Sequence, residues 1–446
     1  MIIPPRFHKL NFLQRCLLGG VVFIAFGWCH PPFLAVASNE NQVSSKVPDE
    51  AREIYQRHQS HVFQVQVVDR ATGKKSAIGS GFLIDARYLA TNFHVVAAAV
   101  HKPNAYRVEV VREDDTSGAL TIEAIDVIHD LAIVKTDRAA PTYARLGRFD
   151  LAKGEKIFAM GNPHDLGMTI VEGTYNGLMK NSLYKKILFS GSLNPGMSGG
   201  PTFNHDGEVI GVNVATAGNQ LSFLVPVSSL KRLWNDLRAG KIRRPAKGWE
   251  PVIERQLLQN QDRYMRRLLS SDWETLSIGE GRVPGEISGI FKCWGDSVDQ
   301  KEKLYKYSYM DCSTDDALFL SDSFQTGRIH YRYNWMRSKG LMPWRFYRAY
   351  QTYYSYPLEF TNASKQDVSN FECRSDFVVV GGKDWKVALC ARNYKKYPRL
   401  YDVDLSMASV HATDRGLLVD VVALGVTQAN AVKFMEKFLK AIQWKK

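Results

Sequence analysis

The stretch NPGMSGGPTFNHDG, residues 194–207, places three glycines close to one serine, Ser198. Glycine, proline and asparagine are common turn residues, so one interpretation is a surface turn. Glycine also allows close approach of the backbone and dihedral angles that other residues avoid. A reactive serine needs backbone N–H groups directed at a developing oxyanion, and Gly196 and Ser198 would supply them. This second interpretation requires a base and an acid elsewhere in the chain.

A candidate base and a candidate acid both precede Ser198. The segment TNFHVV (91–96) places His94 at the end of a predicted strand, and HDLAIVK (129–135) places Asp130 before a strongly β-forming run. Taken alone, a His near the end of a strand is more often structural than catalytic. An Asp at the start of a strand is usually a turn or edge residue. The chain order His, Asp, Ser is that of one class of triad hydrolases and differs from the subtilisin and α/β-hydrolase orders.

Short strand patterns separated by turn signals fill the region from residue 61 to residue 227. The predicted strands cover 62–68, 79–85, 88–96, 106–111, 120–128, 131–137, 156–161, 169–178, 187–191, 208–215 and 222–227. Many short strands with regular turns favour an all-β barrel or sandwich. A helix over 228–237 is predicted to follow.

These motifs together resemble the bacterial HtrA/Deg branch of trypsin-like serine proteases. The resemblance covers about residues 60–238 and rests on TNFHVV, HDLAIVK, GNP (161–163), GSGF (79–82) and NPGMSGGP followed by GEVIGVNVA. It implies an all-β double six-stranded barrel with the active site in the cleft between the barrels. It also implies that Ser198 is the nucleophile, His94 the general base and Asp130 the acid that orients it.

The same resemblance implies further site residues. The N–H groups of Gly196 and Ser198 would form the oxyanion hole. Ser192 would lie at the base of the pocket for the substrate side chain, and the backbone of Asn213, Val214 and Ala215 would pair with a substrate strand. Because Ser192 is not an acid, we expect cleavage after small aliphatic residues rather than after Lys or Arg.

Met197 is a departure from the family pattern, and the segment 205–207 is predicted to have no metal-binding role. Met197 stands where a small polar residue usually precedes the serine, and it would narrow access or alter the oxyanion hole. His205-Asp206-Gly207 is interpreted as a hairpin turn. No cofactor and no metal site are expected.

The first 37 residues have the layout of a secretory signal peptide. Arg6, Lys9 and Arg15 precede an apolar run at 16–28, and Ala35-Val36-Ala37 forms a small-x-small cleavage pattern. An uncleaved membrane anchor is the alternative, although the run is short for a bilayer span. We therefore predict an exported protein, periplasmic or extracellular, cleaved near Ala37.

Cysteine usage agrees with export. The four cysteines beyond the signal sequence are Cys293, Cys312, Cys373 and Cys390. An even number in an exported chain indicates disulfides. Three pairings are open, and the sequential one is favoured.

Composition divides the chain into five parts. They are a signal peptide (1–37), an N-terminal segment with a short helix (38–60), the protease domain (61–240), a basic linker (241–252) and a C-terminal domain (253–446). The C-terminal domain is predicted to be α+β with a smaller core, and it carries no PDZ pattern. Since the candidate site residues all precede the linker, the protease part is predicted to fold and act without the rest.

Residues 328–356 interleave aromatic and basic side chains. Stacking and charge would let them bind a glycan or an anionic envelope polymer. The favoured alternative is an aromatic core with a solvated basic rim. Export argues against a nucleic-acid partner, protein or peptide substrates are expected, and homo-oligomer formation is left open.

The predicted function is that of an exported serine endopeptidase. The alternative is a non-proteolytic binding or chaperone-like envelope protein that uses a protease-like scaffold. In that case the C-terminal domain would be the ligand-binding module.

Overall fold

The computed structural model describes residues 49–112, 114–148, 150–216, 221–301, 303–314, 316–355, 358 and 363–445. Residues 48–446 form one compact unit. The predicted signal peptide and its cleavage site lie outside the described residues. The short helix predicted for the N-terminal segment is α1 (Glu50–His58), which begins after the capping side chain of Asp49.

The first six strands close into an antiparallel barrel in the order β1-β2-β3-β6-β5-β4. Val65 and Val67 on one strand and Val108 and Val110 on its neighbour are buried, as expected for alternating strands that face a core. The strands are β1 (Val62–Asp69), β2 (Lys75–Asp85), β3 (Tyr88–Thr91), β4 (Tyr106–Val111), β5 (Ser117–Asp126) and β6 (Leu131–Thr136).

The next six strands close into a second antiparallel barrel in the order β10-β11-β12-β9-β8-β7. They are β7 (Lys156–Gly161), β8 (Thr169–Leu178), β9 (Ile187–Phe189), β10 (Pro201–Phe203), β11 (Val209–Thr216) and β12 (Ser222–Pro226). A helix, α3 (Val227–Arg238), follows the last strand. The two barrels confirm the predicted double six-stranded fold.

One predicted strand is wrong in its second half. The expected strand over 88–96 ends at Thr91, and a helix, α2 (Phe93–His101), begins two residues later. Asn92 has an extended backbone and stands at the helix N-terminus, while Val95, Val96 and Val100 are buried on the helix. The valines suggested a strand because β-branched residues favour strands. A helix packed on the barrel buries the same side chains equally well.

The C-terminal region is built around a seven-stranded antiparallel sheet, in agreement with the α+β prediction. The sheet order is β15-β16-β19-β23-β22-β21-β20. The strands beyond the barrels are β13 (Thr275–Ile278), β14 (Gly281–Pro284), β15 (Phe291–Val298), β16 (Tyr305–Thr314), β17 (Leu318–Ser321), β18 (Phe324–Thr326), β19 (Ile329–Ser338), β20 (Glu372–Val380), β21 (Lys383–Asn393), β22 (Tyr401–Ser409), β23 (Arg415–Val426) and β24 (Gln443–Trp444). The helices are α4 (Glu250–Ser270), α5 (Pro343–Tyr354) and α6 (Gln428–Lys440).

Helices cover both faces of this sheet. Leu417, Val419 and Val421 on the central strand β23 share a core with residues of α4 and α6. Leu418 on the same strand packs instead with Phe346 and Tyr350 of α5. Burial on both faces explains why β23 is an almost continuous apolar run.

Disulfides join both edge strands of the sheet to their neighbours. Cys293 on β15 is bonded to Cys312 on β16, and Cys373 on β20 to Cys390 on β21. In each pair the two cysteines lie directly opposite each other in the strand register. The pairing is the sequential one that the sequence favoured.

The aromatic segment 328–356 divides between core and surface. Tyr331 and Tyr333 on β19 are fully buried, whereas Trp344 and Tyr347 on α5 are exposed. This placement agrees with the aromatic-core interpretation. The buried rings do not support binding of a glycan or polymer, because they are not accessible for stacking.

None of the helices that the structure describes is long and apolar enough to cross a membrane.

The C-terminal region and the first barrel share one hydrophobic core. Trp249, Ile253 and Leu257 around α4 belong to the same buried cluster as Val65 and Ile125 of the barrel. The side chain of Gln256 reinforces this contact, because it donates to Ile125 O (2.8 Å) and accepts from Val127 N (2.9 Å). The prediction that the protease part folds alone does not fit this packing.

The second barrel is tied to the C-terminal region by a buried carboxylate. Asp316 accepts hydrogen bonds from the Ser182 hydroxyl (2.8 Å), Leu183 N (2.5 Å) and Lys186 Nζ (2.8 Å). These three residues lie between β8 and β9. The hydrogen-bond donors offset the cost of burying the Asp316 carboxylate, so this contact fixes the loop between β8 and β9.

Candidate active site

His94 and Asp130 form a close pair on the first barrel. His94 lies in the first turn of α2, and Asp130 lies in the turn between β5 and β6 with a φ of 54°. His94 Nδ1 is 2.6 Å from Asp130 Oδ2, and His94 N donates to Asp130 Oδ1 at 2.9 Å. Asn92 Nδ2 donates to Asp130 O at 2.7 Å and fixes the turn. This arrangement holds the proton on Nδ1 and leaves Nε2 as an acceptor.

The electrostatic setting of His94 suits a general base. Burial lowers the pKa of its imidazole. The charge and the hydrogen bond of Asp130, together with the charge of Asp322, raise the pKa by more than burial lowers it. The net effect is a pKa above the ordinary value of His. Asp130 therefore stabilises the imidazolium that forms when His94 accepts a proton.

Ser198 lies at the junction of the two barrels. Its hydroxyl donates to Val214 O at 2.9 Å rather than to His94. Its carbonyl accepts from Ser80 N of β2 at 2.7 Å. Transfer of the Ser198 proton to His94 thus requires the hydroxyl to turn away from Val214.

Two of the glycines beside Ser198 are required by the backbone. Gly196 has a φ of 99°, and a Cβ there would lie 2.3 Å from Asn162 O. Gly199 has a φ of 86°, and a Cβ there would lie 2.2 Å from Ser80 O. Within the described residues, the N–H groups of Gly196 and Ser198 donate to no backbone or side-chain acceptor. They are therefore available as oxyanion donors.

The buried hydroxyl of Ser80 supports this loop, a role that the sequence analysis missed. Ser80 Oγ donates to Gly196 O at 2.7 Å and accepts from Asn162 N at 2.9 Å. It therefore connects β2 of the first barrel to the end of β7 and to the candidate oxyanion loop. A serine between two glycines, at 79–81, was the available signal.

Met197 does not narrow the cleft. Its side chain is fully buried in the core of the second barrel, together with Ile157, Phe189 and Leu224. Met197 N donates to Asn194 O at 3.0 Å within the loop. The residue before Ser198 thus anchors the loop from behind.

The prediction for Asn213 is wrong. Its N donates to Gly200 O and its carbonyl accepts from Gly199 N, so neither backbone group is left for a substrate. Its buried side chain donates to Met160 O (2.9 Å) and accepts from the Thr202 hydroxyl (2.6 Å). Asn213 is a buried residue that holds β11 against the Ser198 loop.

The remaining substrate-binding predictions stay predictions. Val214 and Ala215 lie on β11, next to β12, with Ala215 paired to Phe223. Ser192 is exposed, whereas the following Leu193 is buried in the core of the second barrel. The Ser222 hydroxyl fixes this segment by donating to Gly191 O (2.7 Å) and accepting from Leu193 N (3.2 Å).

A second His–Asp pair lies outside this arrangement. His129 Nδ1 is 2.7 Å from Asp126 Oδ2, and Asp126 Oδ1 accepts from His129 N and Ile128 N. Burial raises the pKa of Asp126, but the hydrogen bond and charge of His129 outweigh it and lower the pKa overall. Asp126 therefore fixes the turn between β5 and β6.

Residues 79–212 match the family described as trypsin-like peptidase domain. A probable periplasmic serine endoprotease, DegP-like, of Chlamydia pneumoniae is 30% identical over 189 residues, which cover 40% of this chain and 38% of that protein. The putative serine protease HhoB of Synechocystis is 29% identical over 255 residues, which cover 54% of this chain and 56% of that protein. The chain thus matches about two fifths to little more than half of the length of these relatives.

A crystal structure of Deg5 also matches, with 27% sequence identity and a TM-score of 0.37. The match covers 42% of this chain and 93% of that one.

Proposed function

We propose that this chain hydrolyses peptide bonds through Ser198, His94 and Asp130. The match of residues 79–212 to a trypsin-like peptidase domain and the similarity to DegP-like serine endoproteases support this proposal. The observation that carries the proposal is the 2.6 Å pair of His94 Nδ1 and Asp130 Oδ2. The Ser198 loop lies close to this pair, since a Cβ on Gly199 would come within 2.9 Å of Asn92 N, two residues before His94. The substrates are proteins or peptides. The signal-like N-terminus and the periplasmic name of one relative support export.

In the proposed mechanism, substrate binding turns the Ser198 hydroxyl from Val214 O toward His94 Nε2. His94 takes the hydroxyl proton while Ser198 Oγ attacks the scissile carbonyl, and His94 then gives the proton to the leaving amine. The N–H groups of Gly196 and Ser198 stabilise the oxyanion, with each donor contributing about 3 kcal/mol. Water then attacks the acyl-enzyme with His94 again as the base.

A fluorophosphonate probe is expected to label the full chain at Ser198, since a base-activated hydroxyl attacks such phosphorus centres. Mass spectrometry of the labelled peptide locates the modification, and Ser198→Ala is the control that removes it. Absence of labelling in the wild-type protein, with and without peptides, would favour the non-proteolytic binding function.

We also propose that the enzyme cleaves after small aliphatic residues. The support is that Ser192 carries no charge and that Leu193, Phe189 and Leu224 make this part of the second barrel apolar. Peptide-library profiling should give Val, Ala, Ile or Leu before the cut, and Ser192→Asp should add cleavage after Lys or Arg. Dominant cleavage after Lys or Arg by the wild-type protein would show that this assignment is wrong.

A further inference from the structure

A cavity of about 320 Å³ lies beside His94, and its outer wall comes from the C-terminal region. The barrel side is formed by α2 and by Ser76 and Ala77 at the start of β2. The opposite side is formed by the β17–β18 hairpin, residues 318–326, including Phe319, Asp322 and Ser323. The volume is in the range of ligand-binding sites and suffices for one or two amino-acid side chains.

The hairpin is held firmly against the first barrel. Leu318, Leu320 and Phe324 are buried in the core that the barrel shares with the C-terminal region. His101 Nε2 of α2 donates to Leu320 O at 2.8 Å. Phe319 meets the His94 ring edge-on, with 5.8 Å between ring centroids. The wall is therefore a fixed part of the site.

In the proposed mechanism, the cavity would lie on the leaving-group side of Ser198. Ser198 is placed between β11, whose Val214 O accepts its hydroxyl, and β2, whose Ser80 N donates to its carbonyl. The proposed acyl side of the substrate lies along β11. Since the cavity is bounded by β2 at Ser76 and Ala77, the residues that follow the scissile bond extend toward it.

The end of the cavity next to His94 is acidic. Asp322 lines the cavity, is exposed and acts on His94 through its charge. It forms no hydrogen bond or ion pair with the residues that the structure describes. The other charged lining residues are Lys102, Asp367 and Lys396. Lys396 acts on His101, whose pKa is lowered first by burial and also by this lysine. The charge therefore changes along the cavity, from acidic near His94 to mixed near His101.

We propose that the hairpin forms a specificity subsite for a basic residue in one of the first two positions after the scissile bond. The aliphatic part of a Lys or Arg side chain would lie against Phe319, and its charge would pair with Asp322. This inference rests on the proposed function. It gives the C-terminal region a direct part in substrate selection.

The test compares peptides that differ only after the scissile bond and carry Lys, Arg, Ala or Glu there. Cleavage by the full chain is measured for the wild type, Asp322→Asn and Asp322→Lys. Asp376→Asn is the control, because it removes an equal charge from the exposed surface of β20, outside the cavity lining. Binding of the same peptides is measured in parallel by fluorescence anisotropy in a Ser198→Ala background.

The wild type and D376N are expected to favour Lys or Arg over Glu. D322N should lose about fivefold of that preference, the size of one partly screened charge pair, and D322K should reverse it. An unchanged preference in D322N and D322K, in cleavage and in binding, would overturn the subsite. If the wild type resists the fluorophosphonate probe but S198A binds basic peptides in an Asp322-dependent way, the subsite stands and the proposed function fails.

Discussion

Replacing Asp130 by asparagine is expected to lower kcat by about 10⁴-fold while the chain stays folded. An amide at this position can still accept from His94 N, but it has no charge to stabilise the imidazolium. Its NH₂ group would also face Nδ1 and favour the tautomer with the proton on Nε2, where it cannot accept the Ser198 proton. Hydrolysis of a peptide or small ester, with unfolding monitored in parallel, measures both effects.

The pH profile separates this role from a purely structural one. His94 acts as a base only when neutral, and Asp130 holds its pKa above the ordinary value. For the wild type, kcat/KM is therefore expected to rise with pH through a pKa above 6.5. In D130N the main raising contribution is gone while burial still lowers the pKa, so the residual activity should extend to lower pH.

Asp126→Asn is the matched control for this prediction. Asp126 also binds a histidine Nδ1, at 2.7 Å, and also accepts from backbone N–H groups. D126N removes the same charge from the same barrel, and we expect it to keep kcat within a few-fold of the wild-type value. Equal losses in D126N and D130N would show that the effect reflects general damage to the barrel.

The sequence predicted the barrels and the candidate triad because both depend on local patterns. Short β-branched runs between turns marked most of the strands, and three motifs marked His94, Asp130 and Ser198. The roles of Gly196 and Gly199 could also be predicted from the local pattern around Ser198. A positive φ in a crowded loop requires glycine.

What the sequence did not predict depends on contacts between distant segments. Ser80 binds Gly196 across 116 residues, and Phe319 meets the ring of His94, which lies in the other half of the chain. Asn213 was assigned to substrate because its place on a strand beside Ser198 left its partners open. Only the fold reveals that Gly199 and Gly200 already use its backbone.

Removing everything beyond Arg243 is expected to leave the barrels insoluble or to lower their melting temperature by at least about 10 °C. The cut removes Trp249, Ile253 and Leu257, which are buried against the first barrel. Burial of three such side chains corresponds to roughly 5 kcal/mol or more, which is comparable to the whole stability of many domains. Thermal unfolding and ultracentrifugation of the truncated and full chains measure the effect.

Point substitutions in the full chain test the same contact without a new terminus. Ile253→Ala should lower the free energy of unfolding by about 2–4 kcal/mol, because it leaves a cavity at the shared core. Arg255→Ala, two residues along the same helix but exposed, should have little effect.

A chain ending after Ser270 keeps α4 and the Gln256 bonds to Ile125 and Val127. It should therefore be more stable than the chain ending at Arg243 and still lack the hairpin wall beside His94. If the chain ending at Arg243 instead folds as stably as the full protein and hydrolyses a small ester equally well, the shared core is dispensable. The C-terminal region would then be an appended module, as its composition first suggested.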